Sequence, residues 1–240
     1  MLRSGVPPVD ARLGGFTAGR VHLLTGGVGA GKTTACLQFL AAGLETGATA
    51  ALLTLDRPEE LASHADFLGI DLARHVRVGR LELLRFRRDF TWRLAHAAPS
   101  AAMIEGLRRG LSGDVPPARV AIDPASPFLA EGAPLGPGIL ALARLLDELR
   151  CTSLVTYPGP LPGADRRLDA LVDDAALIAE LERGVDGEHA LVVARARTRE
   201  APSSPIRFRI ERGRGIVEPP TRRGGRRAGH VAAIHEGLPT

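Results

Sequence analysis

The sequence predicts an α/β domain built on a mainly parallel sheet, and three observations carry that reading. Short apolar runs of strand length alternate with stretches of helical periodicity, the pattern that folds into βαβ units. One strand-to-helix junction, Gly26-Gly27-Val28-Gly29-Ala30-Gly31-Lys32-Thr33, fits G-x-x-x-x-G-K-[ST] at every fixed position. Farther on, Arg119-Val120-Ala121-Ile122-Asp123 ends an apolar run on a carboxylate, and ligands of open α/β sheets bind at that edge of the strands.

Taken in order, residues 5–16 are rich in glycine and proline and read as an irregular lead-in to the first strand, Val21-His22-Leu23-Leu24. The Gly-rich junction follows, and residues 32–42 are mostly helix formers with Leu37, Leu40 and Ala41 on one face. Residues 48–55 form a second apolar strand that ends at Asp56-Arg57-Pro58, and Pro58-Glu59-Glu60-Leu61 opens a helix running to about residue 68, with proline and acids where a first turn tolerates them. Val76-Arg77-Val78 and Leu81-Glu82-Leu83-Leu84 alternate as half-buried strands do. Arg85, Arg87, Arg88 and Arg93 surround Phe86, Phe90 and Trp92, a mixture that fits an exposed face with an apolar anchor or a nucleic-acid surface. Residues 101–110 read as a helix, 119–123 as the acidic strand, 139–149 as a helix and 152–157 as a strand. Residues 175–181, 189–197 and 206–210 then follow as strands with tight connections, an antiparallel extension of the sheet.

Composition bounds the rest. At 240 residues, 45% hydrophobic and 24% charged, the chain suits a single core that needs no staples. We expect one domain over residues 1–218 and a basic Gly/Arg/Pro-rich tail over 219–240, where Arg222-Arg223-Gly224-Gly225-Arg226-Arg227 holds much of the formal charge of +4. A solvated tail and an anion-binding arm both fit it. Cys36 and Cys151 are isolated, and His22, His64, His75, His96 and His189 are scattered without ligand spacing, so neither a disulfide framework nor a metal cluster is expected. No apolar run is long enough to span a bilayer, and the expected location is the cytoplasm.

The Gly-rich junction is a phosphate cradle by its chemistry. Glycines let successive N–H groups converge on an anion, and the helix N-terminus adds partial positive charge. Candidate nucleotide contacts are Gly27, Val28, Gly29, Ala30, Gly31, Lys32, Thr33 and Thr34. Lys32 is the only lysine in a chain otherwise basic through arginine, and it suits β- and γ-phosphates as a compact charge. Thr33 and Asp123 are the candidate ligands of Mg²⁺.

With these residues in place, the chain resembles the KaiC-like branch of the RecA superfamily of P-loop ATPases from about residue 4 to 217. Ser4-Gly5-Val6-Pro7-Pro8-Val9-Asp10 with Leu13-Gly14-Gly15-Phe16 is similar to that family's opening signature. Leu37-Gln38-Phe39-Leu40 resembles its L-Q-F-L, Phe67-Leu68-Gly69-Ile70-Asp71-Leu72 its S-L/F-G-W-D-L, and Val120-Ala121-Ile122-Asp123 its acidic strand. The resemblance implies a twisted sheet with helices on both faces, ATP as the nucleotide, and a homo-oligomeric ring or filament, a hexamer among the options, with ATP between subunits. In the family a basic K-x-R on a late strand reaches the neighbour's γ-phosphate, and Arg195-Ala196-Arg197 stands in that place. The family's Glu-Glu pair after the second strand is replaced by Asp56-Arg57, so Asp56 is the candidate base with a shorter reach. The catalytic candidates are therefore Lys32, Asp56, Asp123, Arg195 and Arg197. Three functions fit: a slow Mg²⁺-dependent ATPase, a nucleotide-gated assembly module read by a protein partner, or a DNA-recombination accessory protein.

Overall fold

The computed structural model describes residues 1–86, 100–111, 115–129, 137–159, 168–184 and 186–219. Arg87, Arg88, Phe90, Trp92, Arg93, His96 and the Arg222–Arg227 cluster lie outside them.

Nine strands form one sheet: β1 (Val21–Gly26), β2 (Ala50–Thr54), β3 (Leu81–Arg85), β4 (Arg119–Asp123), β5 (Thr152–Tyr157), β6 (Leu177–Arg183), β7 (Glu188–Ala196), β8 (Ile206–Glu211) and β9 (Gly215–Val217). Their order across the sheet is β3-β2-β4-β5-β1-β6-β7-β8-β9. The first six in that order run parallel, and β7 to β9 continue antiparallel. The α-helices among the described residues are α1 (Pro7–Leu13), α2 (Lys32–Leu44), α3 (Pro58–Phe67), α4 (Leu72–Arg77), α5 (Ser100–Leu111), α6 (Pro137–Leu149) and α7 (Asp169–Asp174).

Two apolar cores face opposite sides of the sheet, as period-2 alternation requires when both faces are covered. Ala50 and Leu52 of β2 point into the core that holds α1, α2 and α3, and Ala51 and Leu53 point into the other, which holds α6 and α7. Helix α2 is enclosed nearly all round: ten of its residues, Phe39 and Leu40 among them, are buried.

Two sequence expectations are corrected. Residues 7–13 form a helix rather than an irregular lead-in, because Pro7 and Pro8 occupy first-turn positions whose N–H groups have no helical partner anyway. Val76 and Arg77 end helix α4, which Asp71 caps by accepting a hydrogen bond from Arg74 N at 2.8 Å, so no strand forms at 76–78.

The opening signature is a clamp on α2. Asp10 accepts hydrogen bonds from Ser4 N at 2.7 Å and Gly5 N at 3.2 Å, and Gly5 lies against the Gln38 carbonyl. Gln38 in turn holds the far edge of the sheet, accepting from Ile216 N at 2.8 Å and donating to Arg214 O at 3.3 Å. Arg119 is buried beneath α2, donating to Phe39 O at 2.5 Å with its guanidinium 4.9 Å above the Phe39 ring. Gly43 leaves room for it, since a methyl there would stand 2.5 Å from Arg119 Cδ and Nε.

Candidate nucleotide site

Strand β1 delivers the Gly-rich loop to the C-terminal edge of the parallel strands, and the loop turns directly into α2. Gly31 makes that turn at φ 102°, a left-handed value that favours glycine. No side chain caps α2, and no acid stands in its first turn. Its leading N–H groups are therefore free of side-chain acceptors, the condition for an anion site. Gly26 N donates to Gly159 O at 2.8 Å, which ties the loop's start to the segment after β5. Val28 is 94% exposed at the crown of the loop.

Lys32 folds back over the loop and donates to Gly26 O and Gly27 O, each at 2.7 Å. Burial lowers its pKa, and the charge of Asp123 opposes that shift. Asp123 is buried at the end of β4, where its Oδ1 accepts from Thr156 Oγ1 at 2.5 Å. The second carboxylate oxygen remains for a cation's shell. Thr54 lies beside Asp123 in register, and its hydroxyl accepts from Asp56 N at 3.1 Å, so the sheet sets the two acids side by side. Burial raises the Asp56 pKa, with the charges of Asp123 and Glu60 adding and His64 opposing. A carboxylate held up in this way is a stronger base than a free one.

His64 was not legible as a site residue. It projects from α3 and shares a hydrogen bond with Thr34 Oγ1 across 3.0 Å. Burial lowers its pKa, while Asp56 and Asp123 pull the other way. Lys32, Asp56, His64 and Asp123 thus form one electrostatic cluster, and Thr33 sits in the first turn of α2 beside it. The donor set fits a phosphate with a hard cation: an ammonium, loop amides, a hydroxyl and a carboxylate.

Arg195 and Arg197 are elsewhere. Ile178 pairs Arg195 near the N-terminal end of β6, whereas Leu181, toward the other end, pairs Gly26 of the loop. Within one chain the arginines therefore do not meet the loop. Arg195 Nη2 donates to Ala175 O at 3.4 Å, Arg197 Nε donates to the same oxygen at 3.2 Å, and Arg197 Nη2 bonds Asp173 O. A register shift between Ile178 and Ala179 leaves Ala194 as an extra residue on β7. Before that bulge Leu191 and Val193 face the α2 core, and after it Ala196 does. Strict alternation would put Arg195 on that apolar face; the bulge turns it toward α7.

The outer wall of the loop comes from β6 to β8. Arg183 lies against Gly29, the His189 ring stacks on Phe208 with centroids 5.1 Å apart, and Ile210 abuts Gly31. None of these carried a motif.

A phosphate cradle between β1 and α2, an acidic edge on β4 and β2, and an antiparallel extension beyond β6 together define a RecA-like nucleotide-binding domain. The chain belongs to the KaiC ATPase family, whose pattern it matches over residues 2–220. It is 30% identical over 193 residues to a UPF0273 protein of Methanopyrus kandleri, covering 71% of this chain and 75% of that one. Its fold matches the crystal structure of a KaiC-like protein from the hyperthermophilic archaeon Pyrococcus horikoshii with a TM-score of 0.73 at 23% identity, covering 91% of this chain and 98% of the other. Nucleotide binding is expected of the family. No described helix is long and apolar enough to cross a membrane.

Proposed function

We propose that the chain binds ATP with Mg²⁺ at the loop and hydrolyses it slowly, in a homo-oligomer whose neighbouring subunit completes the site. The observation that carries this reading is the uncapped N-terminus of α2 with Lys32 over the loop and Asp123 close enough to act on its charge. In this scheme the loop amides of residues 27–31 and Lys32 hold the β- and γ-phosphates, and Thr33 and Asp123 hold the metal. When bound, Mg²⁺ neutralises charge on the phosphate oxygens and polarises them. Asp56 accepts a proton from the attacking water as its oxygen bonds the γ-phosphorus and the bond to the β–γ bridging oxygen breaks, releasing ADP and phosphate. Arg195 and Arg197 of one chain then stabilise charge at the neighbour's site, which requires them to leave the Ala175 and Asp173 carbonyls.

Phosphate release measured against protein concentration tests the scheme, with Lys32→Ala and Asp56→Asn as controls. Activity per subunit rises with concentration if the site is shared. Turnover undiminished by both substitutions removes the assignment.

A second reading, ATP held to set assembly state with little turnover, is favoured by Asp56-Arg57 itself, because a base set back by about one carbon–carbon bond can cost on the order of a hundredfold in rate. Sizing with ATP, ADP and no nucleotide separates the two: a module changes size with its ligand while releasing almost no phosphate.

A further inference from the structure

The geometry points to Arg183 as a cis-acting phosphate contact, a cation that grips the nucleotide from the side of the loop opposite Asp123; this rests on the nucleotide site proposed above. In the sheet, Asp56 and Asp123 follow β2 and β4, on one side of β1, and β6 lies on the other. The acids and the metal they attract fix the γ-phosphate end of a bound nucleotide on the β4 side. A polyphosphate laid across the loop therefore runs its α-phosphate and nucleoside toward β6.

Arg183 is placed for that end. It stands two residues beyond Leu181, the register partner of Gly26, and alternation puts the two side chains on the same face of β6. Leu181 belongs to the core that holds α2, so Arg183 emerges on the face where the loop enters α2. Its Nη1 lies 3.0 Å from where a methyl at Gly29 would be, with Cδ and Cζ both at 3.8 Å.

The charge balance around it also asks for an anion. Nearby, Glu188 pairs Arg209 at 3.3 Å and Arg207 at 3.5 Å, whereas Arg183 has no acidic partner among the described residues. Its side chain is exposed, yet it lies against Gly29 of the loop that leads into the positive end of α2. Concentrating like charge there is unfavourable in the empty loop and favourable once phosphates arrive. Arg183 also contributes to lowering the pKa of His189, its register partner on β7. A guanidinium suits the task, because its planar fork can hold two phosphate oxygens at once.

The test is equilibrium binding of ADP and of inorganic tripolyphosphate to the full-length chain, comparing wild type, Arg183→Gln, Arg183→Lys and Lys32→Ala. Arg183→Gln is expected to weaken both ligands about tenfold, Arg183→Lys to recover part of the loss, and the thermal midpoint without ligand to stay unchanged, since the side chain is exposed. The loss persists at concentrations where the protein is dissociated, because the contact lies within one chain. ADP and tripolyphosphate binding within a factor of two of wild type in Arg183→Gln overturns the assignment, as does a loss confined to ADP, which would place the contact on the nucleoside. If wild type binds while Lys32→Ala fails and Arg183→Gln does not, only the role of Arg183 falls. If wild type binds neither ligand, the nucleotide site falls with it.

Discussion

Acid should unfold this protein through one buried ring. His22 is fully buried on β1, stacked on Phe16 with centroids 4.2 Å apart. Thr17 N donates to its Nε2 at 3.0 Å, so the ring's proton sits on Nδ1 and is donated to Ser153 O at 3.1 Å. A second proton has nowhere to go: it would meet the Thr17 N–H head-on, without water, in the field of Arg199. Burial accordingly lowers the His22 pKa from 6.5 to about 4. Because the folded value lies below the unfolded one, the unfolded chain binds a proton that the native state refuses. The His22 contribution is fully present above about pH 6.5, falls as the pH drops toward 4 and is constant below that. The fall from 6.5 to about 4, at about 1.36 kcal/mol per pH unit, comes to about 3 kcal/mol, a large share of the stability of a domain. Urea denaturation of wild type and His22→Gln from pH 7.5 to 4 measures it. The difference between the two curves isolates this ring from His64 and His189, which shift in the same direction. Parallel pH profiles for the two proteins, or a native-state His22 titrating near 6.5 by NMR, would refute the argument.

Three other perturbations follow from the same structure. Gly43→Ala should destabilise despite a helix-propensity gain of about 1 kcal/mol, because the new methyl meets the middle of the buried, pinned Arg119 side chain; overpacking of about 1–3 kcal/mol leaves a net loss in chemical denaturation. Asp123→Asn removes one of the charges that raise the Asp56 pKa, so the Asp56 carboxyl resonance should titrate at lower pH in the variant, and an unmoved midpoint would disconnect the two acids. Deleting Ala194 brings Val193 and Arg195 next to each other, opposite Ala179 and Ile178, and plain alternation then keeps Arg195 on the α7 face, so the melting temperature should change little; a collapse by the equivalent of about 3 kcal/mol or more, the scale of an unpaired charge in an apolar core, would refute this reading of the bulge.

The sheet and the phosphate loop were legible because local chemistry determines them: glycines and a lysine at fixed spacing, and apolar runs whose period matches the strands that form. The opening signature shows where composition misleads. Glycine and proline near residues 5–16 suggest an irregular lead-in, yet two prolines at a helix start are pre-organised for it, and Gly14 closes the helix at φ 65°. At 76–78, two valines around an arginine alternate like a strand, but the Asp71 cap and the following turn at Gly79 settle the segment as helix. His64 and Arg183 reach the loop only through tertiary packing, from a helix and a hairpin far away in sequence, and no short-range pattern encodes that. The direction of Arg195 and Arg197 was hidden for a related reason: it depends on a single unpaired residue that only strand pairing reveals.

Strand β7 has two unlike ends. His189 pairs with Arg183, which lies against the phosphate-binding loop of its own chain, and Arg195 and Arg197 emerge at the far rim, a run of about 20 Å from His189 to Arg195. In any assembly that seats those arginines on the adjoining subunit, one stiff hydrogen-bonded ribbon carries a nucleotide at each tip. A pull generated at one active centre would then travel to the next along main chain, with the Ala194 kink as the one place where the rod can flex.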